Sequence, residues 1–557
     1  MDRRAFLELA ANPQKDTELP MFEPPLPSSG LNAYTGPWTE AEVIHLLKRT
    51  MFGAKKADIN YFKGRTMQQA VDELLNVNTV LPAPPLKEYT TSTTATKPDS
   101  NIALGTTWVN DPNNDGTVAS QRRGSFKKWW MGLMINQERS ILEKMTLFWH
   151  NHFATESNDV GNAQYVYKHH SLFRTNALGN FKTLTRDITV DPAMLVYLNG
   201  QINTATAPDE NYGREIQELF CCGKGKDSLY TEGDVKAAAQ VLTGWRNNST
   251  TISSYFDVAR HNKTNKQFSA FYNNTVITGQ SGANAGDLEL DAMLDMIFAT
   301  QEVAKYVCRR LYRWFVYYDI DDTIETNVIT PMANLFRQSK YEVKPVLAAL
   351  LKSEHFYDTL SRGAQIKSPV DLVVGLCREY EIQFQPNTDY VTNYGFYNYL
   401  VSWVSNMQQN IGDPPDVSGW KAYYQMPQFY EIWINSDTLP KRNQFTDTMI
   451  VSGYTFNSKK IQIDGVAVAQ SLSSPSDPNK LIDELCKKIL RIDISLASKN
   501  QLKTDILLGG QSTDFYWTDA WNLFITTPTN TSNTTTVKNR LRDLIKYLMN
   551  LPEYQLA

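Results

Sequence analysis

Thr39-Glu40-Ala41-Glu42-Val43-Ile44-His45-Leu46-Leu47-Lys48-Arg49-Thr50-Met51-Phe52-Gly53 carries every signal of one complete helix. Thr39 with Glu42 three residues on has the form of a capping box, Val43, Ile44, Leu46 and Leu47 form an apolar stripe, and Gly53 sits where a C′ glycine belongs. The same punctuation recurs along the chain. Asp191-Pro192 and Asp477-Pro478 each supply an N-cap carboxylate followed by proline at N1, and Thr231 with Asp234 opens a helix running through Ala237-Ala238-Ala239 to Gly244. From Val537 to Met549 the apolar residues Leu541, Leu544, Ile545 and Leu548 keep helical spacing. These signals predict a mainly α protein, a large multi-helix array. Residues 246–287 break the pattern, since Tyr255, Val258, Phe268 and Phe271 among Asn and Gly predict a small β-rich insertion. The polar stretches Thr90 to Thr117 and Thr526 to Thr536 read as surface loops. The expected organisation is an arm over 1–38, a helical half over 39–245, the insertion over 246–287 and a second helical half over 288–557, with 39–557 one continuous domain.

With 42% hydrophobic and 20% charged residues, a chain of this length can bury a large core. The net charge of −4 offers no overall attraction to phosphate backbones, so nucleic acid is not an expected partner. Arg122-Arg123 and Lys127-Lys128 read as a solvated helix face. Five cysteines, an odd number, imply no disulfide framework; Cys308, Cys377 and Cys486 sit singly in apolar helical patterns as small buried hydrophobes, and Cys221-Cys222 lacks the two-residue spacer of a redox motif. No apolar run approaches the ~20 residues that cross a bilayer. Asp2-Arg3-Arg4-Ala5-Phe6-Leu7 resembles the start of a twin-arginine export signal, but Glu8 to Pro25 contain no apolar segment.

Several ordered blocks resemble one bacterial family, called domain of unknown function 1800. They are His45 to Gly53, Glu143-Lys144-Met145-Thr146-Leu147-Phe148-Trp149-His150-Asn151-His152-Phe153, Arg174 with Asn176 to Phe181, Asp191 to Leu195, Glu210 to Phe220 and Tyr230 to Trp245. Lys367-Ser368-Pro369, Pro414 to Trp420 and Leu551 to Gln555 continue the series to the C-terminus. The resemblance implies an exported protein, found in company with a sulfatase-like family. Extracytoplasmic placement, in the periplasm or at the cell surface, is then the expectation, with export in complex with a partner that carries a complete signal; a cytoplasmic location is the alternative.

His150 and His152 hold two of only seven histidines in an aromatic setting. On extended backbone their side chains point the same way, whereas on a regular helix they diverge by about 200°, so the pair can grip a metal best at a helix end. Glu143, two helical turns before His150, is a candidate third ligand or an acceptor orienting an imidazole. In the helix expected from Glu210 to Phe220, Asn211, Glu215 and Glu218 recur at i, i+4 and i+7 and share a face. The two carboxylates are candidate general bases, or equally partners of Arg174, Arg186 or Arg214 in an ionic network. His45, with Arg49 one turn on, reads as a residue hydrogen-bonded across the core, and His169, His170 and His355 as ordinary half-buried residues. His261 gains interest only if the insertion folds over the helical site.

Two functions follow. One is a binding or assembly partner of an exported, sulfatase-like enzyme, its many Tyr and Trp suiting an interface. The other is a metal-dependent hydrolase or oxidoreductase using Zn, Mn or Fe at the His/carboxylate site, where an open coordination position lowers the pKa of bound water. No nucleophile elbow, phosphate-binding glycine loop or dinucleotide fingerprint is present.

Overall fold

The Thr39 hydroxyl accepts from the Ala41 amide at 3.3 Å while Glu42 reaches back to the Thr39 amide at 2.8 Å, so the capping box forms and the helix Glu40–Thr50 follows it. The computed structural model describes residues 29–557. The twin-arginine-like start, Asp2 to Leu7, lies outside the described residues. Residues 29–34 are tied to 352–355: the Tyr34 amide bonds to the Lys352 carbonyl at 2.9 Å, and the His355 ring bonds to the Ser29 carbonyl at 2.7 Å.

Among the described residues helix accounts for 55% against three two-stranded antiparallel sheets, which makes the protein mainly α. The Asp191, Thr231 and Asp477 caps form as the sequence predicts, with Pro192 and Pro478 in the first turn of their helices. One apolar cluster runs from Val43 to Tyr554 and joins both halves of the chain. At its centre lies the helix Leu142–His152, in which every residue from Glu143 to His152 is buried. Even its polar residues, Glu143, Lys144 and Asn151 among them, are buried, so the helix gives no face to solvent and is surrounded by other elements. The helix Ala163–Thr175 packs against it, and Gly116–Ile135 packs on that helix in turn.

The insertion holds two hairpins, Trp245–Asn248 with Ser253–Phe256 and Lys266–Gln267 with Val276–Ile277. It is pinned by Glu289, whose carboxylate accepts from His261 at 3.0 Å and Lys266 at 2.6 Å with no exposed surface at any of the three side chains. A third hairpin pairs Tyr454–Phe456 with Lys459–Ile461. Its turn residues Asn457 and Ser458 take φ of 46° and 58°, the left-handed pair that a type I′ turn requires.

Three expectations need correction. Residues 531–536 are helical, because Asn530 caps the helix Thr531–Met549 by accepting from the Ser532 and Asn533 amides. Arg122 is not solvated: it is fully buried and pairs with Asp99 and Asp111, both at 2.6 Å, which orders the polar stretch before it. Lys127 and Lys128 are likewise committed, to Asp413 and Glu88. His169, His170 and His355 are fully buried rather than half-buried.

Candidate functional site

His150, Asn151 and His152 occupy the last turn of the central helix; the first two meet the segment at Trp420, and His152 faces away from it. The His150 ring lies 5.2 Å from Trp130 and 5.6 Å from Trp420, centroid to centroid. Asn151 accepts from the Trp420 amide at 2.9 Å. The approach is so close that Gly419, at φ +90°, has no room for a side chain: a Cβ there would meet the Asn151 carbonyl at 2.4 Å. His152 turns the other way, with its ring among Phe153, Phe181 and Phe220 and its Nε2–H donated to the Phe220 carbonyl at 2.9 Å. The helical backbone therefore sends the two imidazoles into separate aromatic cages, the divergence expected of residues two apart on a regular helix.

Burial pushes both rings down, His150 to about 3 and His152 well below the usual histidine range, so both are neutral at physiological pH. His150 Nε2 and His152 Nδ1 are buried without a hydrogen-bond partner. Glu143, on the first turn of the same helix, accepts from Arg174 at 2.6 Å. Burial raises its carboxyl above the usual range against the pull of that guanidinium.

The acidic segment is not one regular helix. Asn211–Glu215 is α-helical, and Ile216–Cys221 widens into a π-helix whose i→i+5 bonds interrupt the i, i+4, i+7 spacing. Glu218 pairs with Lys224 and accepts from the Tyr230 hydroxyl at 3.5 Å. Glu215 has no such partner: its Oε2 is buried and unbonded, and burial followed by the neighbouring Glu218 pushes its carboxyl up to about 7. Arg174, Arg186 and Arg214 go elsewhere, to Glu143, to Asp287 with Asp291, and to Glu210 with Glu232.

The His152–Phe220 hydrogen bond brings the histidine helix against the π-turn, so the two candidate segments do meet. Among the described residues, no group of three or more His, Cys, Asp or Glu is arranged to hold a metal ion. His261 sits in the insertion's own network with Glu289, and all five cysteines are buried and free. Asn151 is the contact residue that sequence reasoning passed over; its only signal is its place between the two histidines.

Comparison with curated proteins and with solved structures finds no match to this chain. A family model described as "Protein of unknown function (DUF1800)" matches residues 45–556, nearly the whole length. The chain therefore belongs to the DUF1800 family.

Proposed function

We propose that the protein is a binding component that assembles with another protein, an exported sulfatase-like enzyme, and reaches the periplasm or cell surface in its company. One observation carries this reading. The helix Phe515–Thr526 buries Trp517 and Trp521 yet leaves Phe515 65%, Tyr516 45% and Ile525 51% exposed, so large apolar side chains stand on its outer surface among the exposed Asn522 and Thr526. Large apolar side chains clustered on one exposed helix are the kind of surface that marks an interaction site. Aromatic side chains of this kind give an interface large contact area at low entropic cost. Affinity purification of the full chain from its native host tests the reading. A sulfatase-like protein should co-purify with the wild type and be lost with Phe515→Ser/Ile525→Ser; recovery of the wild-type chain alone contradicts it.

A second reading is a metal-dependent hydrolase or oxidoreductase using Zn, Mn or Fe with Glu215 or Glu218 as base, in which His150 and His152, held in separate cages, and Glu143, paired with Arg174, would have to rearrange to ligate one ion. What favours it is Glu215: a carboxyl pushed up to about 7, beside a π-turn, with one oxygen unbonded, is poised for proton transfer near neutral pH. Elemental analysis of chelator-free protein separates the two readings. Near-stoichiometric transition metal, lost on His150→Gln/His152→Gln, supports the enzyme; a metal content near zero goes against it.

A further inference from the structure

At the C-terminal end of the helix Glu40–Thr50, a cleft of about 400 Å³, counting its open mouth, is lined by Lys48, Arg49, Lys144, Arg313 and Trp314, with Asp371 the one side-chain carboxylate in its wall and the last residue, Ala557, beside them. Lys48 is matched by Glu379 at 2.8 Å, and Lys144 by Asp371. The two arginines are not matched: among the described residues neither Arg49 nor Arg313 has a carboxylate within ion-pair distance. Arg49 is 2% exposed, and although its Nη2 donates to the Ser361 carbonyl at 2.9 Å, its Nε and Nη1 are buried without a partner. Arg313 donates its Nε to the Tyr318 carbonyl at 3.0 Å. Trp314, 6% exposed, adds a third unbonded buried donor, its indole N–H.

Buried donors without acceptors cost free energy, and a buried guanidinium without a counter-charge costs more. Burial accordingly pulls both arginines down to about 10. Although Gln365, Ser368, Tyr423 and Tyr430 also line the wall, Arg49 and Arg313 leave it with positive charge that neither Asp371 nor Ala557 meets within ion-pair distance, and Arg49 and Trp314 leave it with unbonded N–H groups. An oxyanion supplies what is missing, since guanidinium groups pair with carboxylate, sulfate and phosphate oxygens through strong charge-assisted bonds. We propose that the cleft between Arg49, Arg313 and Trp314 is a binding site for a small oxyanion, a carboxylate, sulfate or phosphate group. Lys48 and Lys144, both buried, are already neutralised by Glu379 and Asp371, so the unmatched charge in the cleft is that of the two arginines. Of the candidate His/Glu segments only Lys144, beside Glu143 on the helix Leu142–His152, reaches this cleft; His150, His152, Glu215 and Glu218 do not line it.

Isothermal titration calorimetry of the full chain with sodium sulfate, sodium phosphate and sodium acetate, each at an ionic strength held constant with sodium chloride, tests this. At least one salt should give saturable binding of a single ion per chain. Saturation by acetate identifies a planar carboxylate as the ligand, and saturation by sulfate or phosphate a tetrahedral group. Arg49→Gln and Arg313→Gln should each weaken binding by about tenfold or more, as expected for loss of a charge-assisted contact. Arg542→Gln, on the surface, should leave it unchanged. If Arg49→Gln does not fold, the half-buried Arg313 alone decides. No saturable heat from any of the three salts, or undiminished affinity in Arg313→Gln, overturns the proposal.

Discussion

His152 donates its Nε2–H to the Phe220 carbonyl at 2.9 Å, fastening the end of the central helix to the π-turn that follows Glu215. The bond joins segments 68 residues apart, inside a cage of phenylalanines. His152→Ala should therefore cost roughly 2–5 kcal/mol, combining a cavity with an abandoned carbonyl. Urea denaturation of the variant measures it, and a loss below about 1 kcal/mol contradicts a packing role.

Glu143 and Arg174 should behave as a unit. Arg174→Met leaves a buried carboxylate without its counter-charge and should destabilise by about 3–5 kcal/mol, whereas Glu143→Leu/Arg174→Met should regain most of that loss. A double-mutant cycle measures the coupling. Additive losses would show that the two groups do not depend on each other.

Glu215 sets a pH dependence. Its native carboxyl holds a proton up to about 7, while an unfolded glutamate releases it near 4.5. The stability this group contributes is thus fully present below about 4.5 and is lost as pH rises through 7. Glu215→Gln should remove that slope and stabilise the protein at pH 8 by roughly 1–2 kcal/mol, allowing for screening by nearby solvent. Parallel stability curves for wild type and variant across this range contradict the assignment.

Asn530 holds the first turn of the helix Thr531–Met549 through the Ser532 and Asn533 amides. Asn530→Ala should cost about 1 kcal/mol and speed amide exchange over 531–536. Unchanged exchange there would mean that the turn is held by other contacts.

What was legible in the sequence was what is local. The caps at Thr39, Asp191, Thr231 and Asp477 lie within three residues of the amides they satisfy, so their chemistry appears in the letters themselves. The hairpin at Tyr454–Ile461 is equally local, and Asn457-Ser458 directly after the alternating Tyr454-Thr455-Phe456 is a turn signal, yet the expectation of a β-rich segment falls on 246–287 alone. The end of the polar stretch misled because Thr and Ser suggest a loop, while Asn530 in the right place makes a helix of them. At the candidate site, the letters pick out His150 and His152 but not that their rings part, since that depends on whether the backbone there is helical or extended. Arg122, Arg49 and Arg313 were hidden for another reason: charge in a sequence reads as surface, and only the fold places it inside.

The most direct test of the assembly reading is amide hydrogen exchange across Phe515–Thr526, in the purified protein alone and bound to its co-purified partner. Binding should slow exchange in this helix while leaving the buried helix Leu142–His152 as it was. Protection that appears elsewhere, with Phe515–Thr526 exchanging as freely in the complex as in the isolated chain, would contradict the account.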